Sequence, residues 1–258
     1  MKFIDDAGLE TRVAALGREQ GGGGPYDVYA PQRRRDAWHL GRLETNGNAP
    51  PLPWNAYRLP ESLKPVFFPT GREVVRWSED GPEASAPLRP RAVFGVKACD
   101  LRALAILDKV FRDHEFREPT WCRARDENLL VSGDCTECAA SCFCTTMDGT
   151  PYAQEGFDLN LAPVDGGYVV ESGSTKGEAL VDHHAGLFRD ATAAETATRD
   201  ANRRALTERV REQNKRWPTK DPFEASVDKN TKTRIWGRLA ATCVECNACN
   251  LVCPTCHC

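Results

Sequence analysis

The twelve cysteines of this 258-residue chain fall into two groups, and they are the residues with the clearest potential for chemistry. Six lie within residues 99–144 and six within residues 243–258. Closely spaced thiols can hold zinc or iron-sulfur clusters, or form disulfides. The first ten residues carry Asp5, Asp6 and Glu10 where a secretory signal would be basic and then apolar. We therefore expect a cytoplasmic location, where metal binding is favoured over disulfides.

The C-terminal group has the spacing of a bacterial ferredoxin, Cys-x-x-Cys-x-x-Cys-x-x-x-Cys-Pro. Thiolates at this spacing can converge on the irons of one [4Fe-4S] cluster, and backbone N–H groups of the loop can stabilise its negative charge. The predicted ligands are Cys243, Cys246, Cys249 and Cys253. In two-cluster ferredoxins the fourth cysteine ligates the other cluster, and no second run follows here. We expect either an incomplete two-cluster module or a further ligand from Cys256 or Cys258.

The internal cysteines follow predicted strands. Residues 92–96 and 129–131 are short apolar runs of strand type, and apolar residues recur at helical spacing over 101–111 between them. This pattern predicts a βαβ unit, with Asp100 as the helix N-cap. If the strands are parallel neighbours, Cys99 and Cys135 lie at the carboxyl edge of the sheet. That edge is where α/β units place ligands, and a helix N-terminus there offers N–H groups to an anionic cluster.

Cys142 and Cys144 supply two further sulfurs. Residues two apart in an extended segment point to the same side, so both thiolates can face one cluster. The predicted internal ligands are therefore Cys99, Cys135, Cys142 and Cys144, with Cys138 as the substitute. Cys122 has no partner nearby in the sequence and is interpreted as an isolated thiol.

Zinc and thiol exchange are the alternatives to iron. Two Cys-x-x-Cys pairs in the C-terminal group could hold one zinc ion, and so could the four cysteines of residues 135–144. Such a chain would be a zinc-stabilised interaction module without redox activity. Cys135-x-x-Cys138 also matches a dithiol oxidoreductase motif, although no evident helix begins there.

The remaining pattern predicts an α+β protein without a membrane-spanning segment, because no apolar run reaches about 18 residues. Residues 165–167 predict a hairpin turn, a helix begins near Thr175, and an Ala-, Glu- and Arg-rich helix covers about residues 191–216. Net charge of −3 gives no reason to expect nucleic acid. The expected parts are an α/β domain with the internal iron-sulfur site (1–190), a helical linker (191–230) and an incomplete ferredoxin-like 4Fe-4S segment (231–258).

Three segments carry a family resemblance: residues 94–104 (FGVKACDLRAL), 142–147 (CFCTTM) and 253–258 (CPTCHC). They resemble a family of 4Fe-4S dicluster proteins that comprises the sulfhydrogenase beta subunit together with the A-type component of anaerobic sulfite reductase. The likeness extends from about Glu61 to Cys258. In that family the internal cysteine motifs correspond to Cys99, Cys135, Cys142 and Cys144. The main departure is the second ferredoxin run, which family members carry downstream.

The resemblance implies an electron-relay subunit of a cytoplasmic oxidoreductase complex. Such a subunit stands between a flavin subunit that meets NAD(P)H and a catalytic hydrogenase or siroheme sulfite reductase subunit. It implies two or more [4Fe-4S] clusters, and no catalytic centre in this chain.

Overall fold

The computed structural model describes residues 1–18, 25–44, 54–55, 59–68, 73, 75–84, 88–217 and 223–257. Residues 218–222 of the predicted linker and the candidate ligand Cys258 lie outside the described residues. The described part is a mixture of helices and strands, which confirms the predicted α+β class.

The strands are β1 (Lys2–Asp5), β2 (Asp27–Arg34), β3 (Ala37–Arg42), β4 (Val75–Ser78), β5 (Gly81–Ala84), β6 (Arg91–Val96), β7 (Leu129–Gly133), β8 (Leu159–Val164), β9 (Gly167–Ser172) and β10 (Arg189–Asp190). The α-helices are α1 (Asp6–Leu16), α2 (Lys64–Phe67), α3 (Ala98–Phe111), α4 (Pro119–Glu127), α5 (Thr175–His183), α6 (Ala193–Asn214), α7 (Phe223–Asn230), α8 (Arg234–Ala240) and α9 (Ala248–Val252). Among the described helices, none has the length and apolar character needed to cross a bilayer.

One eight-stranded sheet has the order β10-β1-β9-β8-β7-β6-β2-β3, and β4 and β5 form a separate hairpin. Strands β2, β6, β7 and β8 are parallel neighbours, whereas the strands on either side of them pair antiparallel. Parallel strands order their carboxyl ends along one edge, so the loops that follow β6, β7 and β8 lie close together.

The sheet is buried on both faces by apolar clusters. In β7, Leu129 and Val131 join a cluster with α1 and α5, while Leu130 joins a second cluster with α2, α3 and α4. The alternation follows from the two-residue period of a strand. Coverage of both faces is the usual environment of parallel strands.

The predicted βαβ unit is present, because β6 and β7 are adjacent and parallel and α3 lies between them in the chain. A second helix in the crossover, α4, was not predicted. Asp100 is not the N-cap of α3: Lys97 has that position, and the backbone N–H of Lys97 donates to Asp100 Oδ2 at 3.3 Å. An acid three residues after the cap is a capping-box arrangement.

Two other sequence predictions are confirmed. The turn at residues 165–167 joins β8 to β9 in an antiparallel hairpin. Helix α5 begins at Thr175, although its N-cap is Ser174, whose hydroxyl accepts from Gly177 N at 3.1 Å.

The predicted helix over about residues 191–216 is α6, which begins after the N-cap Thr192. Most of its side chains are exposed, but Leu206 and Val210 are buried where the helix packs against β8 and β9. Its C-terminal end reaches the turn Cys144–Met147.

Candidate metal centre

Two predicted ligands follow neighbouring parallel strands. Cys99 is the second residue of α3, three residues after the end of β6, and Cys135 comes two residues after the end of β7. Since β6 and β7 pair in parallel, both cysteines lie beyond the same edge of the sheet, as predicted. Cys99 is exposed and Cys135 is half-buried.

A β-bulge at Gly95 determines which way the end of β6 faces. The pairing of β6 with β7 shifts between Phe94 and Val96, and Gly95 has a φ of +76°. A Cβ atom at this position would lie 2.8 Å from Pro31 Cγ. The extra residue puts Val96 in the same apolar cluster as Val93, so the side-chain alternation is reversed before α3 begins.

The loop that carries Cys135 is fastened by backbone and amide hydrogen bonds. Cys135 N donates to Pro151 O at 2.9 Å, and Thr136 N donates to Asn55 O at 3.0 Å. The buried Asn55 side chain donates in turn to Asp134 O at 2.9 Å. These contacts keep the Cys135 sulfur at the sheet edge.

The segment that contains Cys142 and Cys144 is a turn and not an extended strand, so the predicted backbone conformation is wrong. Phe143 has φ −136° and ψ 18°, and Cys144 begins a 3₁₀-helix that ends at Met147. Ala139 N donates to Cys142 Sγ at 3.3 Å. Backbone N–H donation to a sulfur is the kind of contact that stabilises cluster-bound thiolates.

Helix α6 supports this turn with its last residues. Gln213 Nε2 donates to Ala139 O at 3.1 Å and to Cys142 O at 2.9 Å. The thiol of Cys138 donates to Gln213 Oε1 at 3.5 Å. The sequence offered no signal for Gln213, which is one polar residue in a polar helix.

The internal sulfurs are near enough to influence one another. Burial raises the pKa of Cys135 to about 12, the positive charge of Lys97 acts in the opposite direction, and Cys142, Cys144 and Asp134 raise it further. Burial also raises the pKa of Cys144, and the neighbouring Cys142 and Cys138 add to that rise. The structure thus gathers Cys135, Cys138, Cys142 and Cys144 in one electrostatic neighbourhood.

The closeness of these sulfurs does not by itself amount to a metal site. Within the ranges that the structure describes, no three His, Cys, Asp or Glu side chains stand close enough together to hold a metal ion. The ligand sets therefore stay predictions. The donors nevertheless fit the group in kind, because sulfur is the ligand that zinc and iron-sulfur clusters prefer.

Lys97 lies inside this neighbourhood and is only 2% exposed. Its ammonium donates to Trp54 O at 2.9 Å and to Gly133 O at 3.3 Å. Burial lowers its pKa, and nearby anionic groups act in the opposite direction. In order of decreasing effect these groups are Cys135, Asp100, Asp134 and Cys99. A buried lysine beside two predicted ligands could not be recognised from the sequence.

An ion-pair network ties α6 to the loop before Cys135. Arg203 Nε donates to Asp134 Oδ2 at 2.6 Å, and Asn160 Nδ2 donates to Asp134 Oδ1 at 2.8 Å. Arg203 also pairs with Glu171 of β9 and lies over the Tyr152 ring, 4.5 Å from its centroid. Burial raises the pKa of Asp134, and the hydrogen bond from Arg203 acts in the opposite direction.

The C-terminal cysteines are more open to solvent. Cys243, Cys246 and Cys249 are exposed, and Cys253 is half-buried. Cys243 Sγ accepts from Glu245 N at 3.4 Å.

Cys253 and Cys256 are joined by a side-chain hydrogen bond, and Cys249 is near enough to act electrostatically on Cys256. Burial acts to raise the pKa of Cys253, but hydrogen bonds from Cys256 and Thr255 lower it to about 7. Cys256 therefore lies with two of the predicted ligands.

Among the described residues, hydrogen bonds and a ring contact join this segment to the rest of the chain, including one from the Ser62 hydroxyl to Leu251 O at 3.3 Å. Lys64 of α2 donates to Cys256 O at 2.8 Å and also to Asn250 O. The His257 ring meets the Phe111 ring edge-on at 5.9 Å between centroids. His257 thus lies at the end of α3 that is far from Cys99.

Cys122 belongs to neither predicted ligand set. It lies in α4, and its thiol donates to Phe111 O at 3.8 Å.

The structure is that of an α+β protein with two sets of cysteines. One set follows the carboxyl edge of a sheet, and the other lies in a C-terminal segment with short helices. The chain is similar to the beta subunit of sulfhydrogenase 2 from Pyrococcus furiosus, with 31% identity over 166 residues. The matched region is 64% of this chain and 48% of the relative, so the chain spans about half the relative's length. This match confirms the resemblance to the sulfhydrogenase beta subunit. No family model matches the chain, and no solved structure does.

Proposed function

We propose that this chain is an iron-sulfur electron-transfer subunit of a multi-subunit cytoplasmic oxidoreductase of the hydrogenase/sulfhydrogenase or anaerobic sulfite reductase type. The observation that carries the proposal is that Cys135, Cys138, Cys142 and Cys144 lie near enough to one another for their thiols to interact electrostatically, with Cys135 just beyond the end of β7. Similarity to a sulfhydrogenase beta subunit supports it.

In the internal site, Cys99, Cys135, Cys142 and Cys144 would hold one [4Fe-4S] cluster, with Cys138 as the substitute. A bound cluster supplies single-electron exchange through a change of iron valence. The protein's part is to present the thiolates, to orient them through Ala139 N and Gln213, and to exclude water on the side of the sheet. No acid or base of the protein is needed for electron exchange.

In the C-terminal site, Cys243, Cys246, Cys249 and Cys253 would hold a second cluster. Cys256 adjoins Cys253, which supports it as a further ligand, and Cys258 remains a candidate. The proposed division is an α/β domain (1–190), a helical linker (191–230) and an incomplete ferredoxin-type segment (231–258).

The proposed partners are a flavin subunit that binds NAD(P)H and a catalytic hydrogenase or sulfite reductase subunit. Electron exchange between these two partners is the chemistry that the bound clusters would supply. Neither nucleic acid binding nor membrane insertion is part of the proposal.

Metal analysis of anaerobically purified protein tests the proposal. We expect a brown protein with iron and acid-labile sulfide in equal amounts, whose broad visible absorption bleaches with dithionite. Cys142→Ala should lose about four irons per chain and keep the C-terminal cluster. Cys122→Ala, a matched control at a cysteine that belongs to neither predicted ligand set, should keep all iron. A colourless protein with stoichiometric zinc would establish the interaction-module alternative instead.

A further inference from the structure

The turn after α9 brings two thiols into direct contact. Cys253 follows the last residue of α9, and Cys256 lies three residues further along the chain. A side-chain hydrogen bond joins their two sulfurs, and both residues are free cysteines. Two thiols in contact at Cys-x-x-Cys spacing can close into a disulfide with little movement of the backbone. Pro254 fixes one backbone torsion of the turn, which lowers the entropy lost on closure.

The chain on both sides of this turn is bonded to the same short stretch at the start of α2. Lys64 Nζ donates to Cys256 O at 2.8 Å and also to Asn250 O. The buried Ser62 donates its hydroxyl hydrogen to Leu251 O at 3.3 Å. These bonds limit how far Cys256 can move from the end of α9. Restraint of this kind raises the effective concentration of one thiol at the other.

Other Cys-x-x-Cys pairs of the chain hold their sulfurs in different contacts. The Cys138 thiol donates to Gln213 Oε1 at 3.5 Å. Cys243 Sγ accepts from Glu245 N at 3.4 Å. Several pairs share the spacing of a thiol-exchange motif. Among the described residues, the thiol–thiol hydrogen bond therefore distinguishes the pair after α9 from these two.

We propose that Cys253 and Cys256 form a thiol–disulfide exchange site in the metal-free chain, with a low-molecular-weight disulfide as the oxidant. Cys256 is exposed and Cys253 is half-buried, so the oxidant reaches Cys256 first. The Cys256 sulfur attacks one sulfur of the oxidant, and a mixed disulfide forms as one small thiol leaves. The Cys253 sulfur then attacks the Cys256 sulfur, which closes the ring and releases the second small thiol.

The exchange is balanced in atoms and electrons. Two cysteine thiols are oxidised to one disulfide, one disulfide of the oxidant is reduced to two thiols, and each cysteine proton leaves with a released thiol. A bound cluster would occupy the same sulfurs, so the exchange belongs to the chain before a cluster is loaded or after it is lost. The inference goes beyond the proposed function and does not depend on it.

The test equilibrates the metal-free full chain with mixtures of reduced and oxidised glutathione. Rapid alkylation and tandem mass spectrometry without reduction then locate each disulfide. We expect the first disulfide, formed at the most reducing mixtures, to join Cys253 to Cys256. In Cys253→Ser the mixed disulfide at Cys256 cannot be resolved, so a glutathione adduct should accumulate there. Cys122→Ser is the matched control and should leave this closure unchanged.

A second variant tests the restraint on the turn. Lys64→Met removes the hydrogen bonds to Cys256 O and Asn250 O, and should shift the closure equilibrium about fivefold toward the dithiol. Lys109→Met, at an exposed position of α3, should not shift it. An unshifted equilibrium in Lys64→Met would contradict the role given to these bonds.

Two results would overturn the exchange site itself. One is a first disulfide between any other two cysteines, and the other is a lasting glutathione adduct at Cys256 of the wild-type chain without closure. Both would leave the proposed function intact, because iron and acid-labile sulfide in anaerobically purified protein test that function separately.

Discussion

The two cysteine groups differ in how the rest of the chain holds them. Three side chains hold the internal group. Gln213 of α6 donates to Ala139 O, and Arg203 of α6 pairs with Asp134, the residue before Cys135. Lys97 donates to Gly133 O at the end of β7. The C-terminal group lies in a largely exposed segment, which Lys64, Ser62 and the contact between His257 and Phe111 join to the rest of the chain.

The contrast shows that a clear sequence motif does not imply that the rest of the fold holds its residues in place. The ferredoxin-type spacing at residues 243–253 is the clearest pattern in the sequence, yet most of those cysteines are exposed. The internal spacing is irregular, yet its loop is fastened on several sides. A local motif brings its ligands together through the loop itself, whereas dispersed ligands depend on tertiary contacts for their positions.

The variant with the largest expected loss of stability, Arg203→Met, tests whether the internal cysteine loop is anchored to the folded core. Arg203→Met leaves the buried carboxylate of Asp134 without its partner and should lower the free energy of unfolding by about 3 kcal/mol. Chemical denaturation of the metal-free protein measures it. Arg211→Met, an exposed arginine on the same helix, should leave the midpoint nearly unchanged. An equal loss of unfolding free energy in the two variants would contradict the conclusion that Arg203 anchors α6 to the loop before Cys135.

A smaller effect is expected from Gly133→Ala. Its Cβ would lie 2.7 Å from Trp54 O, which is also a partner of Lys97. Forcing this contact apart should cost about 1–3 kcal/mol, measured by thermal unfolding. At Gly186 an added Cβ meets nothing within 4 Å, so Gly186→Ala is the control, and a loss of the same size there would contradict the close approach.

Gln213→Ala tests the support of the turn at residues 139–147. It removes the hydrogen bonds to Ala139 O and Cys142 O and the one from the Cys138 thiol, without removing a charge. We expect a loss of about 1–2 kcal/mol and faster amide hydrogen exchange over residues 139–147. Glu212→Ala, at the neighbouring exposed position, should change neither quantity. Unaltered exchange in the Gln213 variant would show that α6 does not support the turn.

The smallest effect on global stability is expected from Lys64→Met. The lost hydrogen bonds to Cys256 O and Asn250 O should cost no more than about 1 kcal/mol. Proteolysis within residues 231–257 should nevertheless become faster, and the sheet domain should stay intact. Lys109→Met, an exposed lysine of α3, is the control. A large drop in the unfolding midpoint would mean that the C-terminal segment is integral to the core.

The elements with strong periodicity were predictable. Strand β6, helix α3, strand β7 and the β8–β9 hairpin follow from apolar spacing and turn residues. Helix α4 was not, because its sequence is polar and buries only Trp121. The positions of Cys99 and Cys135 at one edge followed from parallel pairing.

The residues that support the candidate site could not be predicted from the sequence. Lys97 and Gln213 are ordinary polar residues until tertiary packing places one inside the sheet edge and the other on the cysteine turn. The conformation of residues 142–144 was wrongly predicted because local spacing could not indicate the 3₁₀-helix that starts at Cys144. Long-range contacts decide such details.

Helix α3 extends from the first predicted internal ligand to the residue that contacts His257. Its first turn contains Cys99, and its last residue, Phe111, contacts His257. A 14-residue helix is roughly 20 Å long. Two paramagnetic centres at its opposite ends would have weakly interacting spins, so the EPR spectrum of the fully reduced protein should be the simple sum of two unsplit signals.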